Sequence, residues 1–164
     1  MLLVTTENIA ADMLKLSLDY CREKMRDRDR GQEMLSLLKD NNADVLEYFR
    51  YSVAMQVGSY LGKSSDTVRE VYICPDSLDE DPALTLPLVL IVCVKNNTAA
   101  LEAVAEELEG NLLEEYRNLF SPVADKLNVY LRICFVDESE MQGKKGLASC
   151  IGSFFKPALR VWNR

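Results

Sequence analysis

Leu84-Thr85-Leu86-Pro87-Leu88-Val89-Leu90-Ile91-Val92-Cys93-Val94 decides how the rest of this chain is read. The run is apolar on both alternating faces and is far shorter than the ~18 residues that would suggest a membrane span. It therefore reads as a strand buried in the middle of a sheet, where each large aliphatic side chain contributes about 1.5–3 kcal/mol before conformational entropy is subtracted. It also contains no acidic residue.

Working outward, residues 68–74 alternate as a second strand, with Val71 and Ile73 facing one way and Glu70, Tyr72 and Cys74 the other. Between the two strands lies Pro75-Asp76-Ser77-Leu78-Asp79-Glu80-Asp81-Pro82, an acidic loop whose prolines exclude ladder pairing and which is expected to be exposed. After the central strand, Asn96-Asn97-Thr98 supplies a helix cap, and Leu101, Val104, Ala105, Leu108, Leu112, Tyr116 and Leu119 form one helical stripe ending before Pro122. Residues 127–136 read as a third strand, in which Val129, Leu131, Ile133 and Phe135 alternate with Asn128, Tyr130, Arg132 and Cys134. A loop at Gly143-Lys144-Lys145-Gly146, a short helix over 147–155 and an edge strand over 159–162 complete this half.

The N-terminal part is helical. Thr5 and Thr6 can cap a first helix whose stripe is Ile9, Met13, Leu16, Tyr20 and Met25, ending near Arg30-Gly31 after the solvated alternation Arg26-Asp27-Arg28-Asp29-Arg30. Met34, Leu35, Leu37 and Leu38 suggest a short second helix. Asp44 is expected to cap a third, with Val45, Phe49, Val53, Val57 and Leu61 facing the core and Gly62-Lys63-Ser64-Ser65-Asp66 breaking it. The fold class is α+β: a small mixed sheet of three to four strands packed by helices, with residues 1–42 as a helical extension on a core of residues 43–164.

Over residues 44–164 the order helix, strand, acidic loop, central strand, long helix, strand, short helix and terminal strand resembles the minimal nucleotidyltransferase family. That family runs from a strand with a Gly-Ser turn into a strand carrying Asp-x-Asp, then a helix, then a strand with a further carboxylate. The resemblance implies a site in which these carboxylates hold divalent cations for nucleotidyl transfer. Where the family has Gly-Ser this chain has Pro75-Asp76-Ser77, and where it has Asp-x-Asp this chain has Leu86-Pro87-Leu88. A second register, with Val57-Gly58-Ser59-Tyr60 as the Gly-Ser turn and Asp66 as its carboxylate, requires a strand where residues 45–61 have helical spacing.

Composition narrows the chemistry. With no histidine, imidazole ligation and Ser-His-Asp or Cys-His catalysis are excluded. The five cysteines, Cys21, Cys74, Cys93, Cys134 and Cys150, are odd in number and show no C-x-x-C pair, so they read as reduced core residues of a cytoplasmic protein. A formal net charge of -7 repels a nucleic-acid backbone and disfavours that partner. The N-terminus has no basic leader, and no segment is long and apolar enough to span a membrane.

Few motifs carry chemistry. Gly58-Ser59-Tyr60-Leu61-Gly62-Lys63-Ser64 has three residues between its glycines where a phosphate-binding loop has four, and it follows a helix rather than a strand; it reads as a helix stop. Asp76, Asp79, Glu80 and Asp81 lack EF-hand spacing, so no metal or cofactor is assigned. The ligand-binding candidates are Tyr72, Tyr130 and Arg132, read as an Arg flanked by aromatics on one sheet face, together with Lys144 and Lys145 in a flexible turn that can meet an anion. No residue is assigned as catalytic.

The expected function is that of a catalytically inactive nucleotidyltransferase-like module that binds a ligand or another protein. One alternative is a divergent metal-dependent transferase drawing carboxylates from residues 76–81 and 137–140; another is a structural subunit of a homo- or hetero-oligomer. An unidentified protein partner or a second copy is the expected companion.

Overall fold

The computed structural model describes residues 6–26, 33–78 and 81–164, which form an α+β fold. Helices α1 (Thr6–Met25), α2 (Met34–Lys39) and α3 (Ala43–Ser64) precede strands β1 (Val68–Ile73) and β2 (Leu88–Val94). Helix α4 (Ala99–Leu119), strand β3 (Leu131–Asp137), helix α5 (Glu138–Gly143) and strand β4 (Leu159–Asn163) follow. The sheet order is β3-β2-β1-β4. Strand β2 runs parallel to β3 and antiparallel to β1, and β4 runs antiparallel to β1. The expected position of the apolar run is thus met: β2 lies inside a four-stranded mixed sheet.

One face of the sheet, carrying Val71, Ile73, Leu88, Leu90 and Val92, packs on α3 and α4, and α1 packs on those two helices within the same core. Residues 6–25 therefore share a continuous hydrophobic interior with residues 43–164. The other face carries Tyr72, Cys74, Ile91, Cys93 and Val136 and is covered by α5 and a 3-10 turn, Gly146–Cys150. Strand β3 is one margin of the sheet, and there the Ile133 N–H donates to Glu109 Oε1 of α4 at 2.8 Å rather than to another strand. Burial raises the pKa of that carboxyl.

Several expected boundaries move for identifiable reasons. The strand expected over 84–94 starts only at Leu88, because Pro87 lacks an N–H and the preceding residues turn back, with Leu86 N–H donating to Ala83 O. Leu84 is nevertheless buried; its N–H reaches Asn41 Oδ1 and its carbonyl accepts from the Tyr116 hydroxyl at 2.5 Å. The cap of α3 is Asn42, whose side chain accepts the Val45 N–H, and not Asp44 in the first turn. The buried stripe of α1 is Ala10, Met13, Leu14, Leu18, Cys21 and Met25, which leaves Leu16 half exposed. Ser17 fits inside this stripe because its hydroxyl donates back to Met13 O. Thr5, Asp79, Glu80 and the alternation beyond Arg26 lie outside the described residues.

Helix α3 continues through Gly62 to Ser64, and this excludes the strand that the second register requires. The spacing of Gly58 and Gly62 serves packing instead. A Cβ on Gly58 would stand 2.7 Å from Trp162 Cβ, and one on Gly62 would run into the indole ring of the same residue. The two glycines form the flat seat that lets β4 close on α3.

Candidate interaction site

The sequence candidates are not all brought together. Tyr72 is buried on the α5 side of the sheet, donates its hydroxyl to Glu70 Oε2 and sits beside an ion pair between Arg160 and Glu70 at 3.8 Å. Tyr130 lies ahead of β3 rather than within it, which removes it from the strand alternation. It turns into the main core and stacks on Tyr116, with ring centroids 3.7 Å apart. Arg132 is exposed on the marginal strand β3. Lys144 caps α5 in a left-handed conformation, and Lys145 follows; both are exposed. By the strand register Tyr72, opposite Ile91, and Arg132, opposite Val89, do lie on the same face of the sheet, two strands apart, whereas Tyr130 turns into the core on the other side, so the expectation that all three share a face is corrected for Tyr130.

The carboxylates of the alternative transferase reading also lie apart. Asp76 follows β1, whose end pairs with the start of β2, whereas Asp137 pairs with Val94 at the far end of β2. Seven strand residues separate those ends by about 20 Å, well beyond the reach of one cation. Asp137 and Glu140 are moreover engaged with each other's backbone N–H groups as the capping box of α5. Among the described residues no group of three His, Cys, Asp or Glu side chains is placed to hold a metal ion.

A different site is present at the end of the sheet where β1 finishes and β4 begins. A cavity of about 520 Å³ opens between α1, α3, the acidic loop and β4. Its wall is built from Tyr20, Tyr48 and Tyr51, with Tyr20 making ring contacts to the other two at 6.3 Å. Ile73, Leu78, Pro82 and Leu159 add apolar surface, and the exposed Glu47 adds a negative charge. Burial, and then repulsion from the neighbouring Tyr51 and Tyr48 phenolates, raises the pKa of Tyr20.

Arg50 also lines the cavity while only 7 % exposed. Its guanidinium donates to Leu86 O, Ser77 O and Pro87 O at 2.9, 3.2 and 3.0 Å, and so pins both turns that flank the acidic loop. A cation held by three carbonyls is satisfied without a carboxylate partner, because each bond to the charged donor is stronger than a neutral one. Arg50 was not singled out in the sequence. The available signal was its place in the four-residue row Leu46, Arg50, Ala54, Gly58, all of whose members are buried.

Close to this cavity in the topology lies a second feature. The short helix expected over 147–155 stops at Cys150, and residues 150–158 form a loop closed at its base by Ala158 N–H donating to Cys150 O at 3.1 Å. Gly152 adopts φ +76 within it, a backbone state that an L side chain resists. At the tip, Phe154 and Phe155 are 100 % and 98 % exposed. The loop also belongs to a basic segment: residues 141–164 hold five cations, Lys144, Lys145, Lys156, Arg160 and Arg164, and no acid. The preceding 140 residues consequently carry a formal charge of -12 against the -7 of the whole chain. That asymmetry was readable in the sequence, whereas the exposure of the two rings was not.

Compared with known proteins, the chain matches no family model, no curated protein and no solved structure. No helix among the described residues is long and apolar enough to cross a membrane.

Proposed function

We propose that this chain is a non-catalytic protein-interaction module built on a nucleotidyltransferase-like scaffold. The observation that carries the reading is the composition of β2 in its central position: Leu88 to Val94 present only Leu, Val, Ile and Cys side chains where the resembled family places its metal-holding carboxylates. A strand buried by helices on one face and by α5 and the 3-10 turn on the other has no room for an ionised group there. An interaction role is supported by the two fully exposed phenylalanines, whose apolar area is costly to leave in water. The five free thiols suit the reducing cytoplasm.

The test is nucleotidyl transfer. Purified protein incubated with Mg²⁺ or Mn²⁺ and labelled nucleoside triphosphates is expected to transfer no label to itself, to nucleic acid or to protein acceptors. Transfer that is abolished by Asp66→Asn or Asp76→Asn would establish an active enzyme and end this reading.

A further inference from the structure

We propose that the tyrosine-walled cavity binds a small zwitterion carrying a methylated ammonium and a carboxylate, with the ammonium against Tyr20 and Tyr48 beside Glu47 and the carboxylate at Arg50. This site is independent of the interaction reading above. Two opposite charges of α3 line the cavity without pairing. Glu47 and Arg50 stand three residues apart, about 4.5 Å along the helix axis, a spacing at which an acid and a base commonly join on a helix surface. Here Glu47 stays in water while Arg50 turns inward to the loop carbonyls, and among the described residues no carboxylate forms an ion pair with Arg50.

Arg50 supplies the end that takes an anion. Three carbonyls accept its hydrogen bonds but carry no formal charge, so at 7 % exposure the guanidinium has no counter-charge among the described residues. A cation kept from water in this way is costly, and a carboxylate entering the cavity offsets the cost through a charge-assisted hydrogen bond. An uncharged or purely cationic ligand leaves it in place.

The rings supply the end that takes the ammonium. Tyr20 and Tyr48 have centroids 6.3 Å apart and planes inclined at 74°. A cation held about 4.5 Å from each of two perpendicular ring faces sets the centroids about 6.4 Å apart, so the two rings fit as adjacent walls of an aromatic cage. Tyr51, also 6.3 Å from Tyr20, extends the wall. The Tyr20 ring already draws one ammonium, Lys24 Nζ, which lies 5.5 Å from its centroid. A primary ammonium needs three hydrogen-bond acceptors, whereas a methylated one needs none and rests its methyl groups on ring faces and on apolar surface such as Leu78 and Leu159. Glu47 adds its charge at the same end, and the volume of about 520 Å³ is that of a small-molecule site.

Isothermal titration calorimetry of the full chain tests the site with three probes of one shape. Glycine betaine carries both charges; in the tert-butylacetate anion a carbon replaces the ammonium nitrogen; in choline a hydroxymethyl group replaces the carboxylate. Betaine is expected to bind, and each analogue to bind about tenfold or more weakly. The choline arm probes Arg50 without altering it, which matters because Arg50 also holds the loop. Tyr48→Leu is expected to weaken betaine about tenfold and Glu47→Gln, at an exposed position, about threefold, with the circular dichroism of each unchanged. No betaine binding up to about 10 mM, an analogue that binds as tightly as betaine, or a folded Tyr48→Leu with unchanged betaine affinity would overturn the proposal. The two analogues decide the ligand chemistry on the unaltered chain, and none of these outcomes bears on the label-transfer assay.

Discussion

Tyr116 and Tyr130 stack almost face to face, at an interplanar angle of 11°, yet their hydroxyls meet different fates. Tyr116 donates to Leu84 O, while the Tyr130 hydroxyl is fully buried and has no hydrogen-bond partner among the described residues. Burial pushes the pKa of both phenols up. An unpaired buried hydroxyl costs about 1–3 kcal/mol, whereas a paired one returns about 1 kcal/mol. Tyr130→Phe is therefore expected to raise stability by about 1 kcal/mol and Tyr116→Phe to lower it by about as much. Urea unfolding midpoints check both; a loss of stability in Tyr130→Phe would mean that its oxygen is satisfied. The same contrast shows why Tyr130 is a poor ligand contact: its ring is committed to the core.

At the level of elements, α3 and β4 meet closely at two glycines. Gly58 faces the Cβ of Trp162, an atom fixed to the strand backbone, while Gly62 faces the far edge of the indole, which can swing aside. Gly58→Ala is accordingly expected to cost about 1–3 kcal/mol and Gly62→Ala less. Trp162 is the single tryptophan of the chain, so its fluorescence reports both changes, with a red shift expected where the ring is displaced toward water. Equal, negligible effects of the two substitutions would refute the seat. How much of this was legible in the sequence follows from which forces act locally. Helices α3 and α4 are readable because their core side chains recur at helical spacing, and β2 because both of its faces are apolar. The first four residues of the apolar run were misread as strand because the bonds that hold them in turns come from Arg50, Asn41 and Tyr116, which are distant in sequence. The tip at Phe154 and Phe155 was misread as a helix face because apolar spacing does not reveal that Gly146 and Gly152 adopt positive φ. Of the site, the individual chemistry of Tyr72, Tyr130 and Arg132 was visible, as was the shared face of Tyr72 and Arg132, but adding Tyr130 to them depended on a strand start placed too early.

For the molecule as a whole, buried thiols contribute to the loss of stability in alkali. Burial pushes Cys21 and Cys93 up to about 12 from an ordinary 9.0. In the unfolded chain these thiols lose their protons from about pH 9, whereas in the fold they keep them until about pH 12. The raised folded value means that their contribution is complete below pH 9 and is lost as pH rises toward 12. Urea titrations at stepped pH should show stability falling across this window, with a shallower fall in a Cys21→Ala, Cys93→Ala double variant; identical slopes would remove the thiols from the account. The sheet itself carries one more consequence. Where β3 ends the ladder, the Glu109 oxygen on the Ile133 N–H occupies a donor that an incoming strand would otherwise recruit. An unguarded margin of this kind is how sheets join between molecules and grow into fibres. Any fifth strand arriving there must first displace a carboxyl group delivered by α4, so the same contact that anchors helix to sheet also discourages runaway polymerisation.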